Sequence, residues 1–287
     1  MITYNPKDWF KIIIHFHESD TFRKLLPSIF FIGLYAAIIV YVETELITVT
    51  IKNPTVMHSI LGFVLSMLLV FRTNTAYDRW WEGRRIWGSV VNNSRNVALK
   101  LSAFLTNQQD KTDLKHLIVN YIFSFKNHLR NKYVQEEFTP IPQLTLASFA
   151  DADHKPNYIA KALYLKIQQL YQEKLLTSEH LLILNEELKS FTDNCGACER
   201  IKNTPIPFSY SLFLKEIILI YVLSMPLFFG SEYGYATVPV TMIVLYVFAS
   251  IELIAEEIED PFGDDDNDLP LDDICNRIKV NLNEIMD

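Results

Sequence analysis

Three groups of residues have the types and spacing to do chemistry. The first is a run of carboxylates near the C-terminus: Glu256, Glu257, Glu259, Asp260, Asp264, Asp265, Asp266 and Asp268. Clustered carboxylates attract hard cations such as calcium, which takes about six to eight oxygen ligands. Asp264, Asp266 and Asp268 match the first, third and fifth positions of an EF-hand loop. Leu269 occupies its glycine position, however, and Cys275 stands where its terminal glutamate belongs. The run is a candidate cation site whose bland alternative is a solvated acidic turn capping neighbouring helices, and spacing alone leans to the turn.

The second group is Cys195-Gly196-Ala197-Cys198. A single CxxC lacks the four ligands of a structural zinc site. Cys275 makes an odd third cysteine with no framework spacing, so the set reads as ordinary thiols in a reducing compartment. The third group is Phe63, Met67 and Phe71, spaced four apart and therefore on one helix face. Its chemistry is exclusion: an apolar stripe lines a dry pore, or it packs against lipid and other helices.

The elements that position these groups follow from the distribution of charge. The 287 residues are 49% hydrophobic with a net charge of −8. Residues 252–287 hold thirteen acids against two bases, Arg277 and Lys279, so the remainder is mildly basic. An acidic tail excludes a nucleic-acid footprint. Almost uncharged runs beside a charged middle point to an integral membrane protein with a large aqueous portion.

The sequence predicts four spans. The first, from Leu25 to Val42, follows Arg23 and Lys24; the second covers about Val56 to Phe71. Its apolar run is short against the ~20 residues of a lipid-facing helix, and Ser59, Gly62 and Ser66 suit close packing between helices. Ser209–Gly230 and Tyr235–Ile254 supply the third and fourth, joined by a turn at Ser231–Gly234. Lys215 and Glu216, in the first turns of the third span, read as interfacial anchors.

Arg72, Arg79, Arg84, Arg85, Arg95 and Lys100 place the end of the second span, with Arg23 and Lys24, in the cytoplasm. Trp80, Trp81 and Trp87 read as an interfacial aromatic belt, and Asp78, Glu82 and Arg85 as pairs along one helix. The short aromatic segment Trp9–Phe16 is an interfacial or docking element, and no cleavable signal peptide is evident.

Between the second and third spans the pattern is helical, with the second span continuing to near Leu105, helices over Asp110–Arg130 and Pro156–Lys174, and another capped by Ser178. The division is an N-terminal segment at 1–24, spans at 25–71, a helical cytosolic domain at 72–208, spans at 209–254, and an acidic tail at 255–287. Ile274, Ile278, Leu282 and Ile285 form the stripe of a docking helix in that tail.

Three motifs then carry a resemblance: FRTNTAYDRWWEGRRIWG at Phe71–Gly88, CERIKNTPIPFSY at Cys198–Tyr210 and EDPFGDDDNDLPLD at Glu259–Asp272. In this order, with spans between them, they resemble the bestrophin family in its bacterial branch over essentially the whole chain. The resemblance implies an all-α integral membrane protein with four transmembrane helices and a helical cytosolic domain, assembled as a homopentamer around a central pore. It implies a multi-pass protein of the bacterial inner membrane with both termini cytoplasmic. Its partners are copies of itself, monovalent ions and membrane lipids.

The resemblance places Phe63, Met67 and Phe71 on a hydrophobic neck, with Met67 departing from the family's usual isoleucine or phenylalanine. It places a second constriction at the TPIP motif, on Ile206 or, with the register slipped by two, Thr204. The family's calcium clasp falls on Asp260, Asp265 and Asp268, with Asp264 and Asp266 adjacent and Asn267 interrupting the run. No cofactor is required, and calcium is the candidate ligand. The implied function is conduction of chloride and other monovalent anions. The alternatives are a cation (sodium) channel of the same family, a non-conducting scaffold, and a magnesium-dependent membrane enzyme, which would need a second acidic cluster.

Overall fold

The computed structural model describes residues 20–46, 54–141 and 149–287. The Trp9–Phe16 segment, with Lys52 and Asn53 of the first polar connection, lies outside the described residues. Among the described residues, eight long helices follow in order: α1 Asp20–Tyr41, α2 Pro54–Phe104, α3 Gln108–Leu129, α4 Lys155–Gln172, α5 Ser178–Asn203, α6 Phe208–Tyr233, α7 Thr237–Glu259 and α8 Leu271–Met286. Two compact units form. One holds Trp80–Thr204 and Asp260–Asp287; the other holds Pro205–Glu259 and the described residues up to Arg79. The 51-residue α2 contributes to both.

The second unit carries the apolar helices. Among the described residues, three stretches are long and apolar enough to cross a membrane: Thr21–Leu46, Thr55–Phe104 and Phe208–Glu259. The last is divided by a 3-10 turn at Gly234–Ala236 into α6 and α7, which pack on each other and on α1. This turn falls later than Ser231–Gly234, because α6 stays helical through Tyr233. Gly234 ends it with φ of +55°, a left-handed conformation that favours a residue without Cβ. Leu25, Ile29, Ile32, Leu65, Leu69, Ile218, Val222 and Leu245 make the core. At Gly62 a Cβ would lie 2.8 Å from the Tyr221 hydroxyl, so glycine here sets how closely α2 and α6 approach.

The first unit is a helical bundle built round α3, whose Leu114, Leu117, Ile118, Tyr121, Ile122 and Phe125 are all buried. Trp87 stacks on Phe125 with centroids 4.9 Å apart and no exposed surface, so it is a core residue and not part of an aromatic belt. Its indole is large enough to fill the gap between α2 and α3, and that burial outweighs any interfacial role. The α8 stripe docks on α3 through Leu271, Ile274, Cys275, Ile278, Leu282 and Met286. Ile285 is only partly buried, because the stripe steps by four from Leu282 to Met286.

Two local expectations change. Thr177, not Ser178, caps α5, its hydroxyl accepting from the His180 N–H at 3.3 Å. Glu82 pairs with Arg200 of α5 at 2.8 Å, an ion pair between helices in place of one along α2.

The bundle also buries charge. Lys166 of α4 lies 2.7 Å from Asp110 and 3.5 Å from Asp113 on α3, with all three side chains largely removed from water. Stripping the cation leaves two uncompensated carboxylates, so Lys166→Met is expected to cost about 3–5 kcal/mol and to lower the denaturation midpoint. A thermal melt of the purified protein checks this.

Asp272 supplies a pH dependence. Burial pushes its carboxyl up, but hydrogen bonds from Arg130 and Lys126 outweigh that and hold it at about 2. A depressed carboxylate stabilises the fold above its unfolded value, and that contribution is lost as pH falls from about 4 through about 2. Melts across that window are expected to show a shallower acid limb in Asp272→Asn than in the parent.

Candidate pore face and acidic loop

Sequence dictates which way the first half of α2 faces. A helix turns about 100° per residue, so Leu65, Leu69 and Arg72 share one face. Leu65 and Leu69 are buried in the apolar core. Phe63, Met67 and Phe71 point away from it and are 66%, 44% and 58% exposed in the single chain. With Ser66 and Val70 they line one shallow apolar groove. The Ser66 hydroxyl donates to the Gly62 carbonyl at 2.8 Å, which satisfies the one polar side chain among them.

Arg72 follows Phe71 directly and is 1% exposed. Its Nη2 lies 2.7 Å from Glu259 Oε2 and its Nε 3.4 Å from Glu252 Oε2, both on α7. Arg72, the first of the bases that follow the apolar run, is thus a buried ion-pair centre to which tertiary folding brings two acids. Glu259 does more than neutralise it. Its Oε1 accepts the Ile206 backbone N–H at 2.6 Å, and its carbonyl accepts from Arg79 Nε at 3.1 Å. One carboxylate thus ties the Arg72 end of the apolar stripe to the Ile206 backbone.

Further ion pairs gather at the same end of this unit. Lys24 of α1 pairs with Glu257 at 3.1 Å, and Lys215 of α6 with Glu256 at 3.0 Å. Ile206 is half-buried and Thr204 exposed, the latter closing α5 with its N–H donating to the Arg200 carbonyl at 3.1 Å.

The acidic loop is held by bases. Asp264 pairs with Lys132 and lies 3.4 Å from Arg130. Asp272 takes Arg130 at 2.6 Å and Lys126 at 2.7 Å. Arg130 Nε also donates to the Gly263 carbonyl at 3.1 Å, and Trp80 Nε1 to the Asn267 carbonyl at 3.0 Å. Asp268 is buried and accepts the Asp265 N–H at 2.7 Å; burial pushes its carboxyl up to about 7 against that bond. Its other oxygen is buried without a hydrogen-bond partner. Asp260, Asp265 and Asp266 are exposed.

Among the described residues, the group of three ligand-type side chains that converges within 4.8 Å lies elsewhere, at His128, His154 and Glu199. Among the described residues the loop carboxylates do not converge in this way. Sequence reasoning missed the His128 group because its members come from three separated segments with no local spacing signal. Cys195 and Cys198 are buried free thiols. Burial pushes Cys195 up to about 12, which leaves it unreactive at neutral pH.

Comparison with known proteins follows the same outline. The family model of the bacterial/fungal bestrophin protein matches residues 1–284. A voltage-dependent anion channel-forming protein of Nostoc is 34% identical over 99% of this chain and 94% of its own length. One of the same description from Escherichia coli is 28% identical over 100% of this chain and 94% of its own. The crystal structure of a Klebsiella pneumoniae bestrophin homolog, carrying a point mutation, superposes with a TM-score of 0.83 at 26% identity. It covers 92% of this chain and 99% of that one. The chain is an all-helical, multi-pass membrane protein and belongs to the bacterial and fungal bestrophin family.

Proposed function

We propose that the chain is one subunit of a homopentameric anion channel whose neck is the Phe63, Met67 and Phe71 face of α2. One observation carries this reading. The helix buries Leu65, Leu69 and a charge-paired Arg72 on one side and leaves an uninterrupted apolar stripe on the other. Five such stripes round an axis make a narrow apolar ring from which water and hydrated ions withdraw, so a small widening switches conduction. The names of its relatives as channel-forming proteins, not enzymes, support the same class.

The topology in this reading is four crossings, by α1, the first part of α2, α6 and α7, with 25–71 and 209–254 in the membrane. The N-terminal segment 1–24, the helical domain at 72–208 and the tail at 255–287 lie on the cytoplasmic side of a bacterial inner membrane. The Lys24–Glu257 and Lys215–Glu256 pairs support it, because they put the start of α1, the start of α6 and the end of α7 at one level. Ile206 forms the second constriction, positioned through its backbone by Glu259. Thr204 borders it. The reading invokes no required cofactor and keeps calcium as the candidate ligand of Asp260, Asp265 and Asp268, while Arg130, Lys126 and Lys132 pair with the neighbouring Asp264 and Asp272.

Planar-bilayer recording tests the channel. The parent is expected to pass single-channel current with a reversal potential near that of chloride in asymmetric salt. Joint replacement of Phe63, Met67 and Phe71 by alanine is expected to raise open probability several-fold. Silence of both proteins across ion types would sink the proposal, and a reversal potential near that of the cation would reverse the ion sign.

Glu259→Gln keeps the size and an acceptor but removes the charge facing Arg72. It is expected to cost about 1.5–3 kcal/mol of stability and to change conductance in the same direction as Ile206→Ala. A melt paired with recordings of both variants checks the link between the ion pair and the constriction.

A further inference from the structure

We propose that His128, His154 and Glu199 form a binding site for a divalent transition metal of the zinc class on the helical unit. His128 sits in the last turn of α3, His154 at the N-cap of α4, and Glu199 near the end of α5. Their ligand atoms all lie within 4.8 Å of one another. The Nε2 atoms of His128 and His154 lie 2.6 and 2.8 Å from the same Glu199 oxygen, with ring centroids 4.5 Å apart.

The donor set selects the ion. Two imidazoles and one carboxylate form a three-ligand zinc set with an open fourth position, whereas calcium and magnesium prefer oxygen throughout. Tetrahedral bonds of about 2.1 Å put neighbouring ligand atoms about 3.4 Å apart. Each imidazole therefore needs to withdraw by less than 1 Å to admit the ion in place of the hydrogen bonds now present. The side chains are 27%, 33% and 27% exposed for His128, His154 and Glu199, which leaves an entry path and room for water as the fourth ligand. The Lys202 ammonium nearby is held by Asn131 Oδ1 at 2.7 Å and the His128 carbonyl at 3.3 Å. Cys195 and Cys198 share α5 with Glu199 but are wholly or almost wholly buried, outside the converging group.

Loading has a structural consequence at His154. Its Nδ1 now accepts the Asn157 N–H at 3.1 Å and caps α4, so Nε2 carries the ring proton. A metal on Nε2 moves that proton to Nδ1, and the cap bond is given up. The site exchanges a helix cap for a cross-link joining α3, α4 and α5.

The test uses the full-length detergent-purified protein, stripped with chelator and titrated with cobalt(II). One cobalt per chain is expected, with visible d–d absorption of a tetrahedral ion, displaced by zinc and unaffected by excess calcium or magnesium. Glu199→Gln and His128→Gln are expected to weaken cobalt uptake by at least about tenfold. His154→Asn is the decisive variant, because asparagine still caps α4 while lacking the ligand nitrogen. It should keep the oligomer and its helical circular dichroism yet lose uptake by the same factor. Amide exchange at Asn157 should quicken on loading in the parent alone. Absence of the visible band overturns the site. So does uptake unchanged in His154→Asn, or a sulfur charge-transfer band that disappears when Cys195 and Cys198 are replaced by serine.

Discussion

The buried guanidinium of Arg72 is the constraint on which the membrane portion depends. A charge with 1% of its side chain exposed must be paired, and Glu252 and Glu259 of α7 do this. The pairing fixes the rotation of α2 about its own axis. With Arg72 turned toward α7, Leu65 and Leu69 fall within about 60° of the same direction. Phe71, Met67 and Phe63 then fall about 100°, 140° and 180° away from it. A helix of leucines and phenylalanines in an apolar surrounding has little hydrophobic preference between its faces. The ion pair supplies that preference.

The Glu259 carboxylate also reaches the TPIP segment through the Ile206 amide, so the geometry of one end of α2 and the placement of Ile206 share a single acceptor group. Around this centre the apolar helices pack by shape, with Gly62 admitting Tyr221. The helical unit is organised differently, round the buried α3, where large aromatic side chains and a few paired charges fill a core that excludes water. In this unit Trp87 belongs to the core.

Much was legible beforehand because its causes are local. The uninterrupted helix into Phe104 follows from a run without proline or glycine where the apolar stretch becomes charged, and the α8 stripe from apolar residues at three- and four-residue steps. The three motifs made the family legible, and the family comparison bears them out. The acidic loop was legible as charge but not as structure. Arg130, Lys132 and Lys126 stand more than a hundred residues before it and only folding brings them to it.

By itself, then, the sequence determined the helices, the apolar segments, the alternation of apolar and charged stretches and the stripe of Phe63, Met67 and Phe71, since each depends on neighbours within a few turns of chain. Tertiary structure alone decided that Arg72 is buried and paired, that Trp87 is core, that Glu259 holds Ile206, and that His128, His154 and Glu199 meet. These are matters of burial and long-range pairing. A residue's charge or ring states what it can do, and only the fold states how much water and which partner it will have.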